Sequence, residues 1–326
     1  MALLGLRRAL LRRLPAGHRH VTSTTCRVGL QNAYILRVAA PHRRNVSTQI
    51  TPVDLSSDAY IPPHGNTTEG ALVILHGIFG SKRNFASLCK AFMRDLNRPV
   101  YALDLRNHGS SPKTRPMDYL SMAADVHHFV TKNQLEDISL LGHSMGGKVA
   151  MTVALSGTLP ALSNLIVSDI SPTQTCLPPA FTTYLKAMAH IEDPASAIRT
   201  REQADDILKG VEKNLAVRQF LLTNLKTPSD SSETVKFKIP VDILLEATPA
   251  IGSFPFIPGP EHQWHGRTLV VKGAKSDYIK DANVALLREL FPNARLEVLD
   301  TGHWVHAEKP NEFKKLVVDF ILGQRD

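Results

Sequence analysis

The feature that most restricts the fold of this chain is a regular alternation between short apolar segments and longer segments with helical periodicity. Short apolar segments separated by helices are typical of strands that are buried on both faces of a parallel sheet. We therefore predict an α/β fold with a mostly parallel central sheet and helices on both faces. The predicted strands are "GALVILHG" (70–77), "PVYALDL" (99–105), "DISLLG" (137–142), "LSNLIVSDISP" (162–172), "RTLVVKG" (267–273) and "ARLEVLD" (294–300).

The alternation stops between residues 174 and 262, where no segment has the pattern of a parallel strand. This stretch begins with helical periodicity, whereas "ATPAIGSFPFIPGPEHQW" (247–264) is rich in proline and glycine and is predicted to be loop-like. A helical insertion between two strands of one sheet is typical of a lid over the strand ends, although a plain helical layer has the same pattern. The predicted organisation is a core in two parts, 50–173 and 263–326, with a lid at 174–262.

Residues 1–46 have the composition of an import signal. The first 53 residues contain nine arginines, no lysine and no acidic residue, and the arginine pairs at 7–8 and 12–13 alternate with leucines at helical spacing. These pairs would interrupt the apolar core of a secretory signal, and a disordered basic tail is the remaining alternative. We predict a mitochondrial transit peptide, cleaved after Val46, and a location in the mitochondrial matrix.

The net charge of +8 does not indicate a nucleic-acid partner. The nine N-terminal arginines account for more than this excess, so the rest of the chain is not basic. No apolar run approaches the roughly 18 residues that cross a bilayer, so no membrane span is predicted. Cys26 falls within the predicted transit peptide, and Cys89 and Cys176 are predicted to be free thiols of a reducing compartment.

The segment "ISLLGHSMGGKVAMTVAL" (138–155) contains two overlapping motifs that imply different chemistry. From Gly142 to Lys148 it nearly matches the phosphate-binding pattern G-x-x-x-x-G-K, and from Gly142 to Gly146 it fully matches G-x-S-x-G. A phosphate loop needs Ser or Thr after the lysine, because that hydroxyl binds Mg²⁺, and this chain has Val149 there. The phosphate site is therefore rejected, and Lys148 is predicted to be a solvated or helix-packing lysine.

The G-x-S-x-G motif predicts a nucleophile elbow at Ser144. A sharp turn from strand to helix strains the backbone at the serine, and Gly142 and Gly146 let the strand and the helix approach each other. The turn exposes the hydroxyl and directs backbone N–H groups toward it from the start of the helix. The motif alone is weak, but its position between a buried strand and a helix argues against a chance match.

A serine hydroxyl needs a base to remove its proton, and His303 is the candidate. It follows the last predicted strand in "EVLDTGHWVHAEKP" (297–310), and the order serine, acid, histidine is the order that folds of this kind use. His306 forms a potential metal pair with His303, but no third ligand at suitable spacing is evident. Zinc is therefore rejected, and neither a metal nor a cofactor is predicted.

Two aspartates at strand ends compete to orient the base. Asp277 lies just after the penultimate strand, where many serine hydrolases have their acid, but the position three residues after the strand-end glycine is Ser276. Asp169 ends the strand next to that of the nucleophile and is followed by Ile-Ser-Pro, a rigid exit into the insertion. We favour Asp169 and keep Asp277 as the alternative acid.

Attack on a carbonyl produces an oxyanion that needs backbone donors. Met145, at the start of the helix after the elbow, supplies one N–H group. The segment "HGIFGS" (76–81) follows the first strong strand, and its backbone can turn the N–H of Ile78 toward the same point, with Phe79 as a second choice. The predicted oxyanion hole is formed by the N–H groups of Ile78 and Met145.

Five segments together resemble the α/β-hydrolase-fold family that includes abhydrolase domain-containing protein 11 and the fungal mitochondrial ethanol acetyltransferases. They are "LHGIFGSKRNF", "LDLRNHGSSP", "GHSMGGKVAM", "VSDISP" and "TGHWVHAEKP". The resemblance covers about residues 50–322 and implies an α/β-hydrolase fold. It also implies a Ser–Asp–His triad that corresponds to Ser144, Asp169 and His303. One departure is Asp277, which stands beside the usual serine of the family in "GAKS".

These features predict a serine hydrolase or acyltransferase that acts on short- to medium-chain esters or thioesters through an acyl-serine intermediate. The predicted partner is a small acyl ester or acyl-CoA, and water or an alcohol such as ethanol is the acceptor. The resembled family includes esterases, thioesterases and alcohol acyltransferases, so the acyl length and the acceptor stay open. The alternatives are another chemistry of this fold, such as C–C bond hydrolysis, and a catalytically idle mitochondrial binding protein.

The apolar, proline-rich segment "IGSFPFIPGP" (251–260) lies near the end of the predicted lid. We predict that it lines a dry pocket for the acyl group and the alcohol beneath the lid helices, because exclusion of water would protect an acyl-enzyme from hydrolysis. A connecting loop has the same composition, and in that case the protein would be a plain esterase.

Overall fold

Seven strands form the central sheet of the structure, a computed structural model that describes residues 50–66, 68, 70–174, 177–226 and 233–323. The strands in chain order are β1 (Ser57–Tyr60), β2 (Ala71–Leu75), β3 (Val100–Leu103), β4 (Ile138–His143), β5 (Leu162–Ser168), β6 (Leu225–Lys226), β7 (Lys236–Phe237), β8 (Arg267–Gly273) and β9 (Ala294–Leu299). Across the sheet their order is β1-β3-β2-β4-β5-β8-β9, and β6 and β7 pair separately as a short antiparallel ribbon. All neighbours in the large sheet are parallel except β1 and β3, so the predicted mostly parallel sheet is confirmed.

Strand β1 is the element of the sheet that the sequence did not predict. Its residues, "SDAY", are only partly buried, so no apolar run marks them. The strand lies at the edge of the sheet and pairs with β3 alone, from Ser57 opposite Leu103 to Tyr60 opposite Val100. A short edge strand depends on backbone hydrogen bonds more than on burial, which explains why its hydropathy pattern is weak.

Helices cover both faces of the sheet, as predicted. They are α1 (Ala86–Leu96), α2 (Tyr119–Lys132), α3 (Met145–Ser156), α4 (Pro179–Glu192), α5 (Arg201–Lys209), α6 (Leu215–Leu222), α7 (Val241–Gly252), α8 (Asp281–Leu290), α9 (Val305–Glu308) and α10 (Pro310–Leu322), with 3₁₀ turns at Lys82–Phe85 and Pro194–Ser196. Helices α2, α3 and α8 contribute to one apolar layer, and α1 and α10 contribute to the other. Leu140 of β4 belongs to the first layer and Leu141 to the second, as expected for a strand that is buried on both faces.

The chain between β5 and β8 forms an insertion that contains α4 to α7 and the ribbon of β6 and β7. The prediction that 247–264 is loop-like is wrong at its start, because α7 continues to Gly252 with buried apolar residues at helical spacing. This helix tolerates Pro249, which has no N–H for the carbonyl of Leu245 four residues earlier. The hydroxyl of Thr248 donates to that carbonyl instead, at 2.8 Å.

Several sequence predictions fall on residues that the structure does not describe. They include the transit peptide at 1–46, its cleavage after Val46, and the thiols of Cys26 and Cys176. Cys89 is described as a buried free cysteine, and burial raises the pKa of its thiol to about 12, so it stays protonated at neutral pH. Within the described ranges, no helix is long and apolar enough to cross a membrane.

A buried ion pair joins the loop after β3 to α2. The guanidinium of Arg106 donates to both carboxylate oxygens of Asp125, each at 2.6 Å, and both side chains are almost fully buried. Arg106 also donates to the carbonyl of Pro116 at 2.6 Å, and Asp125 accepts from the N–H of Val53 at 2.8 Å. These bonds fix the loop after β3 relative to α2 and to the chain that leads into β1.

We expect Asp125→Asn to lower the free energy of unfolding by about 3–5 kcal/mol, because Arg106 would stay buried without its counter-charge. The decrease in the free energy of unfolding is measured by urea denaturation, monitored by circular dichroism. The control is Glu246→Gln, since Glu246 also pairs with an arginine, Arg115, at 2.7 Å, but on the surface. An exposed pair contributes little, so the control should lose much less stability. Equal losses in the two variants would contradict this account of the buried pair.

Candidate active site

Ser144 lies at the sharp turn between β4 and α3, where it is the N-cap residue of α3. Its φ of 53° and ψ of −119° are strained for a residue with a side chain. A Cβ on Gly142 would lie 2.1 Å from the carbonyl oxygen of Gly146, and a Cβ on Gly146 would lie 2.5 Å from that of Leu75. The glycines of the motif therefore allow α3 to approach β4 and β2, as the elbow requires.

The structure brings His303 and Asp169 together. His303 Nδ1 and Asp169 Oδ2 are 2.7 Å apart, and the side chain of Asp169 is fully buried. The N–H of Gly273 donates to the other carboxylate oxygen at 2.9 Å, and the hydroxyl of Ser276 donates to Oδ2. These bonds satisfy the buried carboxylate and orient it toward the imidazole.

The alternative acid, Asp277, does not reach His303. Its side chain is 96% exposed and lies 3.7 Å from Nζ of Lys280. The preceding residue, Ser276, has the inward position and donates its hydroxyl to Asp169. The structure therefore places Asp169, and not Asp277, against the imidazole.

Two residues that the sequence analysis did not assign hold His303 in position. The ring of Tyr278 stacks on the imidazole with a centroid distance of 3.9 Å and an interplanar angle of 23°. Nε2 of His143 lies 2.9 Å from the carbonyl oxygen of His303. Their positions in the sequence are the signals that could identify them, because His143 directly precedes Ser144 and Tyr278 directly follows Asp277.

The N–H groups of Ile78 and Met145 are available at the elbow. Both residues line a cavity that reaches Ser144, and no hydrogen bond within the described part of the chain uses either N–H. Phe79, the second choice for the oxyanion hole, has a φ of 63°, and its N–H donates to Nε2 of His108 at 3.2 Å. Because this N–H already has an acceptor, Ile78 is the better donor to an oxyanion.

Two buried histidines fix the loop after β2. His76 Nδ1 lies 2.7 Å from the carbonyl oxygen of Gly77, and its Nε2 accepts from the N–H of Leu105 at 3.0 Å. His108 Nδ1 lies 3.1 Å from the carbonyl oxygen of Arg106. Each ring thus has one donor nitrogen and one acceptor nitrogen, as a neutral imidazole requires. Desolvation by burial lowers the pKa of both rings, which keeps them neutral.

His306, which the sequence analysis considered as half of a metal pair, packs behind the site. Its ring stacks on Phe85 with centroids 4.5 Å apart and meets the ring of His143 at the same distance, edge to face. Burial lowers the pKa of His306 to about 3, so the ring is neutral. We interpret His306 as a packing group that supports His143 and, through it, the backbone of His303.

Two cavities meet at Ser144. The first, of about 620 Å³, reaches helices α4 and α6 of the insertion and is lined by His303, Trp304 and Phe220 among others. The second, of about 510 Å³, extends along α3 and is lined by Met145 and Lys148 among others. Residues that line both cavities are Ile78, Ser144, Pro178, Phe181 and Tyr278.

Ser144 and His303 line the first cavity together, although the hydrogen bonds of the described residues do not include one between them. In the absence of substrate, hydrogen bonds of this kind are often long and shorten when the substrate binds. The imidazole is therefore positioned by its Asp169 side, and its other nitrogen remains available to the serine hydroxyl.

Lys148 was predicted to be either solvated or helix-packing, and the solvated alternative is wrong, because the residue is buried with only 4% exposure. Its Nζ donates to the carbonyl oxygens of Thr173 at 2.8 Å, Ser253 at 2.9 Å and Gly252 at 3.2 Å. Desolvation lowers the pKa of the ammonium group to about 8. The acceptors lie 25 to 105 residues away in the chain, so the helical pattern around Lys148 gives no sign of them.

The predicted pocket-lining segment, 251–260, borders the cavities only at Ile251 and Gly252. Phe254 is buried against an aromatic ring of α2, and Ile257 is 62% exposed. The apolar wall of the first cavity comes instead from α4 and α6, whereas Ile251 contributes to the wall of the second. The apolar character of this segment therefore reflects packing on α2 more than the lining of a pocket.

Residues 70–310 match a family model described as the alpha/beta hydrolase fold. Together with the sheet order, the elbow and the His303–Asp169 contact, this match shows that the chain belongs to the α/β-hydrolase-fold family. Proteins of this fold carry out several chemistries, so the family by itself defines the scaffold and the place of the site.

The chain is similar over most of its length to named proteins of this family. It is 39% identical over 273 residues to the sn-1-specific diacylglycerol lipase ABHD11 of Xenopus laevis, covering 82% of this chain and 84% of that protein. It is 38% identical over 269 residues to a probable alcohol acetyltransferase of Saccharomyces cerevisiae, covering 78% of each. A solved marine microorganism esterase is 33% identical, with a TM-score of 0.72, covering 82% of this chain and 99% of the esterase. The predicted resemblance is therefore confirmed.

We expect Gly146→Ala to lower the free energy of unfolding by at least about 2 kcal/mol, because its Cβ would lie 2.5 Å from the carbonyl oxygen of Leu75. The control is Gly210→Ala at the end of α5, where φ is −66° and the nearest atom to a Cβ would be 3.2 Å away. The free energy of unfolding of the Gly210→Ala protein should change by about 1 kcal/mol or less. Urea denaturation measures the stability of both variants. An unchanged stability of the Gly146→Ala protein would contradict the close approach of α3 to β2.

Proposed function

We propose that this protein is a serine-dependent esterase, thioesterase or alcohol acyltransferase, with Ser144 as nucleophile, His303 as general base and Asp169 as the residue that orients the base. The observation that carries the proposal is the 2.7 Å contact of His303 with the buried Asp169, at a cavity that Ser144 also lines. A histidine held by a carboxylate can take the proton of a nearby serine and return it to a leaving group. The names of the relatives, a diacylglycerol lipase and a probable alcohol acetyltransferase, support acyl esters as substrates.

The first half of the reaction forms an acyl-serine. Nε2 of His303 removes the hydroxyl proton of Ser144 while the serine oxygen attacks the carbonyl carbon of the ester or thioester. Negative charge develops on the carbonyl oxygen, and the N–H groups of Ile78 and Met145 stabilise it. When the intermediate collapses, the bond to the leaving group breaks, and His303 gives the proton to the departing alcohol or thiol.

The second half repeats these steps with an acceptor. Water or an alcohol gives a proton to His303 and attacks the acyl-serine, and the bond to the Ser144 oxygen breaks. The proton then returns to Ser144, and the product is a free acid or a new ester. The carboxylate of Asp169 stabilises the imidazolium in both halves without taking its proton.

The insertion serves as a lid in this proposal. Its helices α4 and α6 supply aromatic and aliphatic residues to the larger cavity, including Phe181, Tyr184 and Phe220. An apolar wall favours an apolar leaving group in this cavity and restricts water near the acyl-serine. The balance between water and an alcohol such as ethanol as acceptor depends on how well this wall excludes water.

We also propose that the protein acts in the mitochondrial matrix. The support is the sequence of residues 1–46, whose arginines and leucines alternate at helical spacing without any acidic residue. Because the predicted substrates include both esters and acyl-CoA thioesters, both classes belong in the test of the proposed function.

We expect Ser144→Ala to reduce turnover by about 10⁴–10⁶, because the three residues act as one unit. Purified protein is incubated with acetyl, butyryl and longer-chain esters and acyl-CoAs, with and without ethanol, and the products are analysed. A fluorophosphonate probe should label the natural protein and fail to label Ser144→Ala. The control is Ser156→Ala, at the other end of α3, which should keep both activity and labelling. If Ser144→Ala kept a tenth of the activity, Ser144 would not be the nucleophile.

We expect Asp169→Asn to reduce turnover by about 10⁴, because an amide would favour the wrong tautomer of His303. The matched control is Asp277→Asn, which removes the same charge from an exposed side chain and should have a much smaller effect. Steady-state kinetics on one ester compares the two variants. The reverse ranking would transfer the orienting role to Asp277.

A further inference from the structure

The buried ammonium group of Lys148 is a feature that the proposed reaction does not use. It lies one turn into α3, four residues after Ser144, and only 4% of the residue is exposed. Within the described ranges its ammonium group makes three hydrogen bonds, all to backbone carbonyls, of Thr173, Gly252 and Ser253. Carbonyl oxygens satisfy the N–H donors but do not neutralise the charge.

No acidic side chain in the described part of the chain compensates Lys148. Desolvation alone lowers the pKa of its ammonium group, to about 8, and no carboxylate opposes that effect. The other charged residues that line the same cavity are Asp277 and Lys280. Their side chains are 96% and 65% exposed and lie 3.7 Å apart, so they offset each other at the rim. The inner part of the cavity therefore carries one buried positive charge.

The second cavity connects this charge with the nucleophile. Ser144 and Lys148 both line it, and so do Thr173 and Gly252, which supply two of the three acceptors. The residue that carries the ammonium group therefore lines the same cavity as the nucleophile, together with two of the residues that accept its hydrogen bonds. The bond to Gly252, at 3.2 Å, is the longest of the three and the easiest to exchange for a bond to a ligand.

The two cavities can be assigned to the two sides of an ester. His303 must give its proton to the leaving group, so the leaving group extends into the first cavity, which His303 and Trp304 line. The acyl chain then occupies the second cavity, next to Met145, whose N–H faces the carbonyl oxygen in the proposed reaction. The far end of the acyl chain is thereby directed toward Lys148.

We propose that Lys148 determines acyl specificity and selects acyl groups that end in a carboxylate, as in half-esters or half-thioesters of short dicarboxylic acids. This inference rests on the proposed function, because it defines the substrate class of the same site. Along α3 the two residues are separated by about 6 Å, four residues at about 1.5 Å each, so a short acyl chain spans the distance. A charge-assisted hydrogen bond to Lys148 would compensate the buried cation.

The kinetic test compares benzyl half-esters of succinic, glutaric and adipic acid with benzyl butyrate, valerate and hexanoate, by measuring the release of benzyl alcohol. The best half-ester should exceed its neutral partner in kcat/KM by about 10-fold or more. Lys148→Met should lower that ratio by about 10- to 100-fold, whereas Lys148→Arg should keep part of it. The control is Lys90→Met, an exposed lysine of α1 that should leave the ratio unchanged. If the natural protein shows no preference, or if Lys148→Met keeps it, the inference is wrong.

A binding measurement separates this inference from the proposed function and does not require Lys148→Met to fold. Calorimetry on Ser144→Ala should show tighter binding of the best benzyl half-ester than of its neutral partner, and Lys148→Arg in the same background should reduce the difference. If the preference appears in binding but the natural protein turns over neither ester, the proposed function fails and the inference stands. If both esters are turned over and bound without preference, the inference fails and the proposed function stands.

Discussion

A buried carboxylate at the end of β5 holds together the parts of the site that come from distant segments. Asp169 is fully buried, so its charge needs donors, and it receives them from Gly273 at the end of β8, Ser276 in the following loop and His303 after β9. The same strand end holds the elbow, because the N–H of Ser144 donates to the carbonyl of Ser168 at 3.0 Å. The candidate nucleophile and its base are thus both hydrogen-bonded to residues at the carboxyl end of β5. A displacement of this strand would therefore disturb both.

The local parts of this arrangement were predictable from the sequence, and the long-range parts were not. The elbow has a local signal, since Gly142 and Gly146 are required by contacts within one strand–turn–helix unit. The acid has no such signal, because both Asp169 and Asp277 follow predicted strands. Burial separates them, and burial depends on how β5, β8 and β9 lie side by side.

The predictions that failed share a physical cause, which is that tertiary contacts outweighed a local tendency. A polar edge strand, β1, forms because β3 offers it backbone partners. Helix α7 runs through Pro249 because its apolar face is buried and a threonine hydroxyl satisfies the carbonyl that proline leaves free. Lys148 is buried because carbonyls from both ends of the insertion converge on it. In each case the decisive partner is either far along the chain or invisible to a hydropathy pattern.

Burial of ionisable side chains also determines the distribution of charge around Ser144. His76, His108, His143 and His306 lie near the site, and desolvation lowers the pKa of each, so these rings stay neutral. A second cation beside His303 would oppose formation of the imidazolium during acyl transfer, and neutral rings avoid that opposition. Two buried charged groups lie close to Ser144 in the chain fold: the carboxylate of Asp169, which contacts His303, and the ammonium of Lys148, whose residue lines the second cavity. Because interactions between charges are strong where water is excluded, this arrangement favours a substrate whose negative charge is at the far end of its acyl group.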